Sequence, residues 1–236
     1  MPDPVRLAKR VAEIAGCSRR EADQYIQGGW VTVDGEVIDA PQHPITDQVV
    51  VIDPEADLDV AEPATLLLHK PAGVAYDAVA KLAMPESHTA GDDPSIRVLK
   101  RHFVRLTPLM PMDDEASGLV VLSQDGRVWR RLSEDADLIE QEFVVEVEGE
   151  LAPYGLPKLC DGMLYQGRAL PRAKVSWQNE DNLRFAIKAV RPGQLRHMCA
   201  QVGLEVRSIR RIRIGRIPLS KMPVGEWRYL PVGEKF

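Results

Sequence analysis

Residues 6–38 read RLAKRVAEIAGCSRREADQYIQGGWVTVDGEVI. Leu7, Val11 and Ile14 recur at helical spacing, and Gly16 closes that first helix. Ser18 with Glu21 three residues on is a capping box, in which each side chain satisfies the other residue's free backbone N–H. A second helix therefore spans residues 19–27 and stops at Gly28-Gly29. Trp30-Val31-Thr32-Val33 alternates like a strand, Asp34-Gly35 suits a two-residue hairpin turn, and Glu36-Val37-Ile38 returns. Residues 49–52 form a further short strand. Arg6, Lys9 and Arg10 on the first helix join Arg19 and Arg20 at the start of the second. Five cations on two packed helices make a compact phosphate-contacting surface.

Working outward, residues 54–64 (PEADLDVAEPA) are acidic and flanked by proline, the composition of a linker. The chain thus divides into a small domain over 4–53, a linker over 54–64 and a larger domain over 65–236. In the larger part, Leu66-Leu67-Leu68 is a buried strand running into the turn Lys70-Pro71-Ala72-Gly73. Residues 76–100 are polar, with weak helical character near 96–101. Residues 118–122 form a strand, 128–132 a helix and 143–147 an alternating strand. Residues 174–177 and 183–189 pair as a hairpin. Residues 194–202 make an amphipathic helix ended by Gly203, and 206–214 and 227–230 are further strands. Many short strands with few helices give an α+β fold, not a parallel βαβ repeat.

The formal net charge of −5 hides a segregation of sign. Residues 34–62 contain no Lys or Arg, whereas residues 184–216 carry nine basic residues and one acid, Glu205. A local basic face, not the net charge, is what phosphate meets. No apolar run nears the roughly 18 residues of a membrane span. Met1-Pro2-Asp3-Pro4 lacks the basic start and apolar stretch of a secretory signal. Cys17, Cys160 and Cys199 are odd in number and far apart, which speaks against a disulfide framework and for a reducing compartment. The cysteines and histidines do not sit at metal-ligand spacing, so no metal site is expected.

The string Cys17-Ser18-Arg19-Arg20-Glu21-Ala22, then Gly28-Gly29, then Val33-Asp34-Gly35, resembles the S4-type RNA-binding module. Beyond the linker stand Leu68-His69-Lys70-Pro71-Ala72-Gly73, then Asp113-Asp114-Glu115-Ala116-Ser117-Gly118 with its following strand. Gln141-Glu142-Phe143 comes next, then Gly193-Gln194-Leu195-Arg196-His197-Met198. In that order they resemble the RsuA/RluF branch of bacterial rRNA pseudouridine synthases. The tail, with Leu219 and Gly225-Glu226-Trp227-Arg228, resembles RluF-type enzymes of the large ribosomal subunit. The resemblance implies a synthase domain with a central, mainly antiparallel sheet. It implies isomerisation of a flipped-out uridine in ribosomal RNA without a cofactor. Asp113 matches the essential aspartate and Arg196 the cation paired with it. Phe143, Gln194 and Lys70 are the expected substrate-binding residues, and Arg6, Lys9, Arg10, Arg19 and Arg20 the RNA-binding ones. The implied partner is ribosomal RNA or a pre-ribosomal particle, met in the cytoplasm by a monomer away from any membrane.

The pattern departs from the family at several points. Met110-Pro111-Met112-Asp113 stands for the usual Gly-Arg-Leu-Asp, and Phe143 for tyrosine. Ala116 replaces a threonine. Pro192-Gly193-Gln194-Leu195-Arg196-His197-Met198 stands for Asn-Arg-Gln-Ile-Arg-Arg-Met, with two cations lost. The alternative reading is therefore a catalytically impaired RNA-binding or ribosome-assembly factor on a synthase scaffold.

Overall fold

The computed structural model describes residues 4–56, 58, 63–93, 96–231 and 233–236. Much of the expected linker, residues 57 and 59–62, lies outside these. The chain forms two units: Met1–Pro63 with Pro94–Val104, and Ala64–Asp93 with Arg105–Phe236.

The first unit contains β1 (Val5–Arg6), α1 (Leu7–Ala15), α2 (Arg19–Gln27), β2 (Val31–Val33), β3 (Glu36–Val37), β4 (Pro44–Ile45) and β5 (Val50–Ile52). Both bonds of the capping box form, Glu21 N–H to Ser18 Oγ at 3.2 Å and Ser18 N–H to Glu21 Oε2 at 2.7 Å. Gly16 ends α1 in the left-handed conformation. Asp34 and Gly35 both take positive φ, 51° and 87°, so β2 and β3 pair across the tight turn that Asp-Gly favours. The apolar faces of the two helices meet the sheet in a core built on Leu7, Val11, Ala22, Ile26, Val31 and Ile45. Ile14, expected on that face, stands exposed at the last turn of α1.

A stretch from beyond the expected linker also folds into this unit. Leu99 is buried, and Arg97 donates to the Gly29 carbonyl at 2.7 Å and to Asp53 at 2.8 Å. Its guanidinium lies 5.0 Å over the Trp30 ring. Lys100 reaches Asp39 through both its backbone N–H and its ammonium. Gly29 sits at φ 75°, and a Cβ there would come within 2.6 Å of the Leu99 side chain. Glycine at that position lets the stretch close down on the end of α2.

The second unit runs β6 (Thr65–Lys70), β7 (Thr107–Leu109), β8 (Ser117–Ser123), α3 (Gly126–Ser133), β9 (Gln141–Gly149), α4 (Gly155–Asp161), β10 (Leu164–Tyr165), β11 (Arg168–Ala169), β12 (Lys174–Trp177), β13 (Asn182–Ile187), α5 (Gln194–Ala200), β14 (Leu204–Ile214), β15 (Ile217–Pro218) and β16 (Trp227–Tyr229). Among the described residues its main sheet has the order β12-β13-β9-β14-β8-β6-β16, with β7 on β8 and β15 on β14. Its pairings are antiparallel except β14 with β8. The parallel seam needs Gly118, because a Cβ there would lie 2.2 Å from the Arg211 carbonyl oxygen. β6 is buried along its whole length. The stretch read as polar, 76–100, holds short 3-10 turns at Tyr76–Leu82 and Pro85–Ser87, and the helical character read near 96–101 falls on a 3-10 turn at Lys100–Phe103.

Candidate active site

Asp113 lies in the loop between β7 and β8, and that loop is fixed from below. Lys70, at the end of β6, is fully buried. Its ammonium donates to the carbonyls of Pro71, Asp114 and Ala116 at 3.1, 2.6 and 2.7 Å. Burial pushes its pKa below the ordinary lysine value, against the pull of Asp114 and Glu115. Lys70 is thus a support of the Asp113 loop. Its side chain does not face the cleft as a substrate contact would, since its ammonium is buried and bonded to three backbone carbonyls. Asp114 ties the same loop to the Lys70–Gly73 turn: its carboxylate accepts the Tyr76 N–H at 2.8 Å and its carbonyl the Gly73 N–H at 3.0 Å.

Arg211 fixes the other side of the loop. Fully buried on β14, it donates to the carbonyls of Leu119 and Met110 at 2.7 and 2.8 Å and to the Gln141 side chain at 3.0 Å. Burial lowers its pKa to about 10, so the guanidinium stays charged at neutral pH. Met110 takes φ 60°, in the left-handed region that favours glycine. A non-glycine residue in that region costs about 1–2 kcal/mol, and the Arg211 bond helps hold it there. The strand alternation that puts Ile209 inward also puts Arg211 inward, a signal the basic run concealed.

Above the loop, a shallow cleft is lined by Pro111, Met112, Asp113, Phe143, Arg191 and Leu195 among others. Asp113 and Phe143 are therefore brought to one cavity. Asp113 is half-buried and accepts the Gly193 N–H at 2.5 Å. Phe143 presents its ring from β9, with only 2% of its surface exposed.

Arg196 does not pair with Asp113, contrary to expectation. Its guanidinium turns to the Val206 carbonyl at 3.1 Å, and among the described residues no ion pair involves Asp113. The Gly193 N–H occupies the carboxylate in its place. Gln194, expected to touch substrate, is fully buried and accepts the Arg191 N–H at 3.1 Å, bracing the turn that leads into α5. Arg191 was not singled out from the sequence. It is exposed and is the one cation lining the cleft.

The basic run 184–216 is less free than its charge suggests. Arg184 and Arg213 hold Glu142, Arg213 also holds Glu140, and Arg207 pairs with Glu148 and Glu205. The Arg184 bond, with help from Arg213, keeps the Glu142 carboxyl below its usual range. In the first unit, by contrast, Arg6, Lys9, Arg19 and Arg20 are exposed and Arg10 is half-buried.

An exposed cationic helical module and a cleft with a carboxylate beside an aromatic ring fit an RNA-binding protein. Comparison with known proteins agrees. Residues 5–51 match the S4 domain. The chain is 28% identical to the dual-specificity RNA pseudouridine synthase RluF of Escherichia coli over 98% of its own length and 77% of that protein. It is 27% identical to ribosomal small subunit pseudouridine synthase A of Pasteurella multocida, covering 98% of this chain and 97% of that one. The ribosomal large subunit pseudouridine synthase B of Bacillus subtilis is 29% identical over 95% of this chain and 91% of its own. A crystal structure of a pseudouridylate synthase shares the fold, with a TM-score of 0.61 at 22% identity over 96% of each chain. The likeness to RsuA/RluF-type synthases read from the motifs therefore extends along nearly the whole chain, with an S4 domain at its start.

Proposed function

We propose that this protein converts a uridine of ribosomal RNA, in the large subunit, to pseudouridine, working as a cytoplasmic monomer on RNA or a pre-ribosomal particle. The S4-type domain holds the RNA through Arg6, Lys9, Arg10, Arg19 and Arg20. The target base leaves its stack, at a cost of a few kcal/mol, and enters the cleft against Phe143, whose face supplies stacking worth about 1–3 kcal/mol. Asp113 acts on the ribose as an ionised carboxylate. The bond from C1′ to N1 breaks, the uracil turns, and C1′ bonds C5. The C5 hydrogen leaves as a proton and N1 gains one, so the reaction consumes nothing else. Arg191, at the rim, meets a flanking phosphate.

The convergence of Asp113 and Phe143 on one cleft carries this reading. Its test is pseudouridine mapping of ribosomal RNA from cells with and without the gene, complemented by wild type or Asp113→Asn. One site is expected to vanish without the gene, return with wild type and stay absent with Asp113→Asn, while the variant binds RNA within about twofold of wild type. A map that is unchanged by deletion overturns the proposal. It would instead favour an RNA-binding or assembly factor, a second reading supported by the missing Asp113–Arg196 pair.

A further inference from the structure

We infer that Tyr165 is a positioning residue for Asp113, acting through a single peptide group; this rests on the reading of Asp113 as the catalytic carboxylate. Tyr165 Oη donates to the Pro192 carbonyl at 2.8 Å. The next nitrogen, that of Gly193, donates to Asp113 Oδ1 at 2.5 Å. The Pro192 C=O and the Gly193 N–H belong to one planar peptide unit and point in opposite directions. Tyr165 therefore grips one end of a rigid plate whose other end holds the carboxylate. A donor on the carbonyl also polarises the amide and strengthens its N–H as a donor.

The surroundings fit this task. Gly193 sits at φ 79°, and a Cβ there would come within 2.7 Å of Tyr165 Oη. Glycine at 193 and the phenol at 165 are thus matched in space. The tyrosine is held in turn: Gln166 donates to its Oη at 3.2 Å, and its ring lies 5.2 Å from that of His197. His197 Nε2 is bonded to the Leu164 carbonyl at 3.1 Å on the same short strand. With Arg196 turned away from Asp113, this chain holds the carboxylate by a backbone donor clamped from behind by the β10–β11 hairpin.

The experiment uses the full-length protein and ribosomal RNA from cells lacking the gene, labelled with tritium at uridine C5. Release of tritium reports turnover, and filter binding of the same RNA reports affinity. Tyr165→Phe keeps the ring and loses the grip. Its kcat is expected to fall about 3–10-fold, the effect of a carboxylate less well held, with KM, RNA affinity and melting temperature near wild type. Gly193→Ala is expected to lose about 100-fold or more in kcat. Adding Tyr165→Phe to Gly193→Ala removes the oxygen the new methyl would strike, so the double variant recovers activity relative to Gly193→Ala alone. An unchanged kcat in Tyr165→Phe, a loss confined to KM, or a double variant worse than Gly193→Ala overturns the role. Wild-type protein that releases no tritium overturns the synthase reading itself, whereas an active wild type with a fully active Tyr165→Phe removes only this inference.

Discussion

Lys70 takes a full charge out of water and spends it on three backbone carbonyls, two of them in the Asp113 loop. The loop is held because the ammonium gathers the Asp114 and Ala116 carbonyls onto one point. Lys70→Met fills similar space and removes all three ammonium bonds, including the buried one to the Ala116 carbonyl, whose loss costs about 1–3 kcal/mol. We expect a loss of about 2–4 kcal/mol in urea unfolding, and loss of turnover in the protein that remains folded. A stability within 0.5 kcal/mol or so of wild type, the range of an ordinary surface change, would show that the carbonyls do not depend on the ammonium. The sequence made Lys70 legible as a special residue and misread its task. The string Lys-Pro-Ala-Gly fixes a turn, but which way the lysine faces is decided by β8, some fifty residues later, whose loop closes over it. The same holds for Arg196, whose partner is a carbonyl of the following strand and not the carboxylate across the cleft. Asp113 and Phe143 could be picked out as candidates, and they line one cleft, because a residue's place in a motif survives even when its neighbours change.

At the scale of elements, the first unit follows its sequence closely because its signals are local. A cap, a glycine stop and an Asp-Gly turn act within three or four residues of themselves. Ser18→Ala is accordingly expected to cost about 1 kcal/mol, the usual worth of an N-cap, and to lower the unfolding midpoint of the protein without altering the cleft. A midpoint unchanged within error would mean that packing alone holds α2. The exposure of Glu21 keeps its own pair from adding more: the Ser18 side chain holds its pKa low at the surface, where such bonds are weak. β14 shows the opposite case. Its arginines read as an open basic face, yet the glutamates on and just before β9 that neutralise Arg207 and Arg213 are some sixty to seventy residues away. Residues 76–93 were illegible for the same reason. Their 3-10 turns are pinned by distant groups, with Trp227 Nε1 donating to the Met84 carbonyl at 2.7 Å and the Tyr229 N–H to Asp92 at 2.7 Å.

At the scale of the molecule, the chain enters the first unit twice, through Met1–Pro63 and again through Pro94–Val104. Cutting the sequence at an acidic linker finds the first passage and cannot find the second, whose anchors Arg97, Leu99 and Lys100 bind residues far earlier. That second passage carries His102, which is buried. Burial chiefly, with Arg101 adding to it, pushes its pKa down to about 4 from the ordinary 6.5, while Asp39 opposes the shift. The sign follows from linkage. Above pH 6.5 both folded and unfolded chains carry the neutral ring, and His102 contributes its full share. Between pH 6.5 and 4 the unfolded chain takes up a proton that the folded one refuses, so stability falls as pH falls through that window. With solvent screening allowed for, the loss amounts to about 1–3 kcal/mol. Urea unfolding at pH 7.5 and at pH 4.5 measures it, and His102→Gln, which cannot take up that proton, is expected to lose less between the two. Equal losses in the two proteins would mean that His102 does not refuse its proton in the fold. The second passage would then be held closed by Leu99 and by the Arg97 and Lys100 pairs, with no pH-dependent share from the ring.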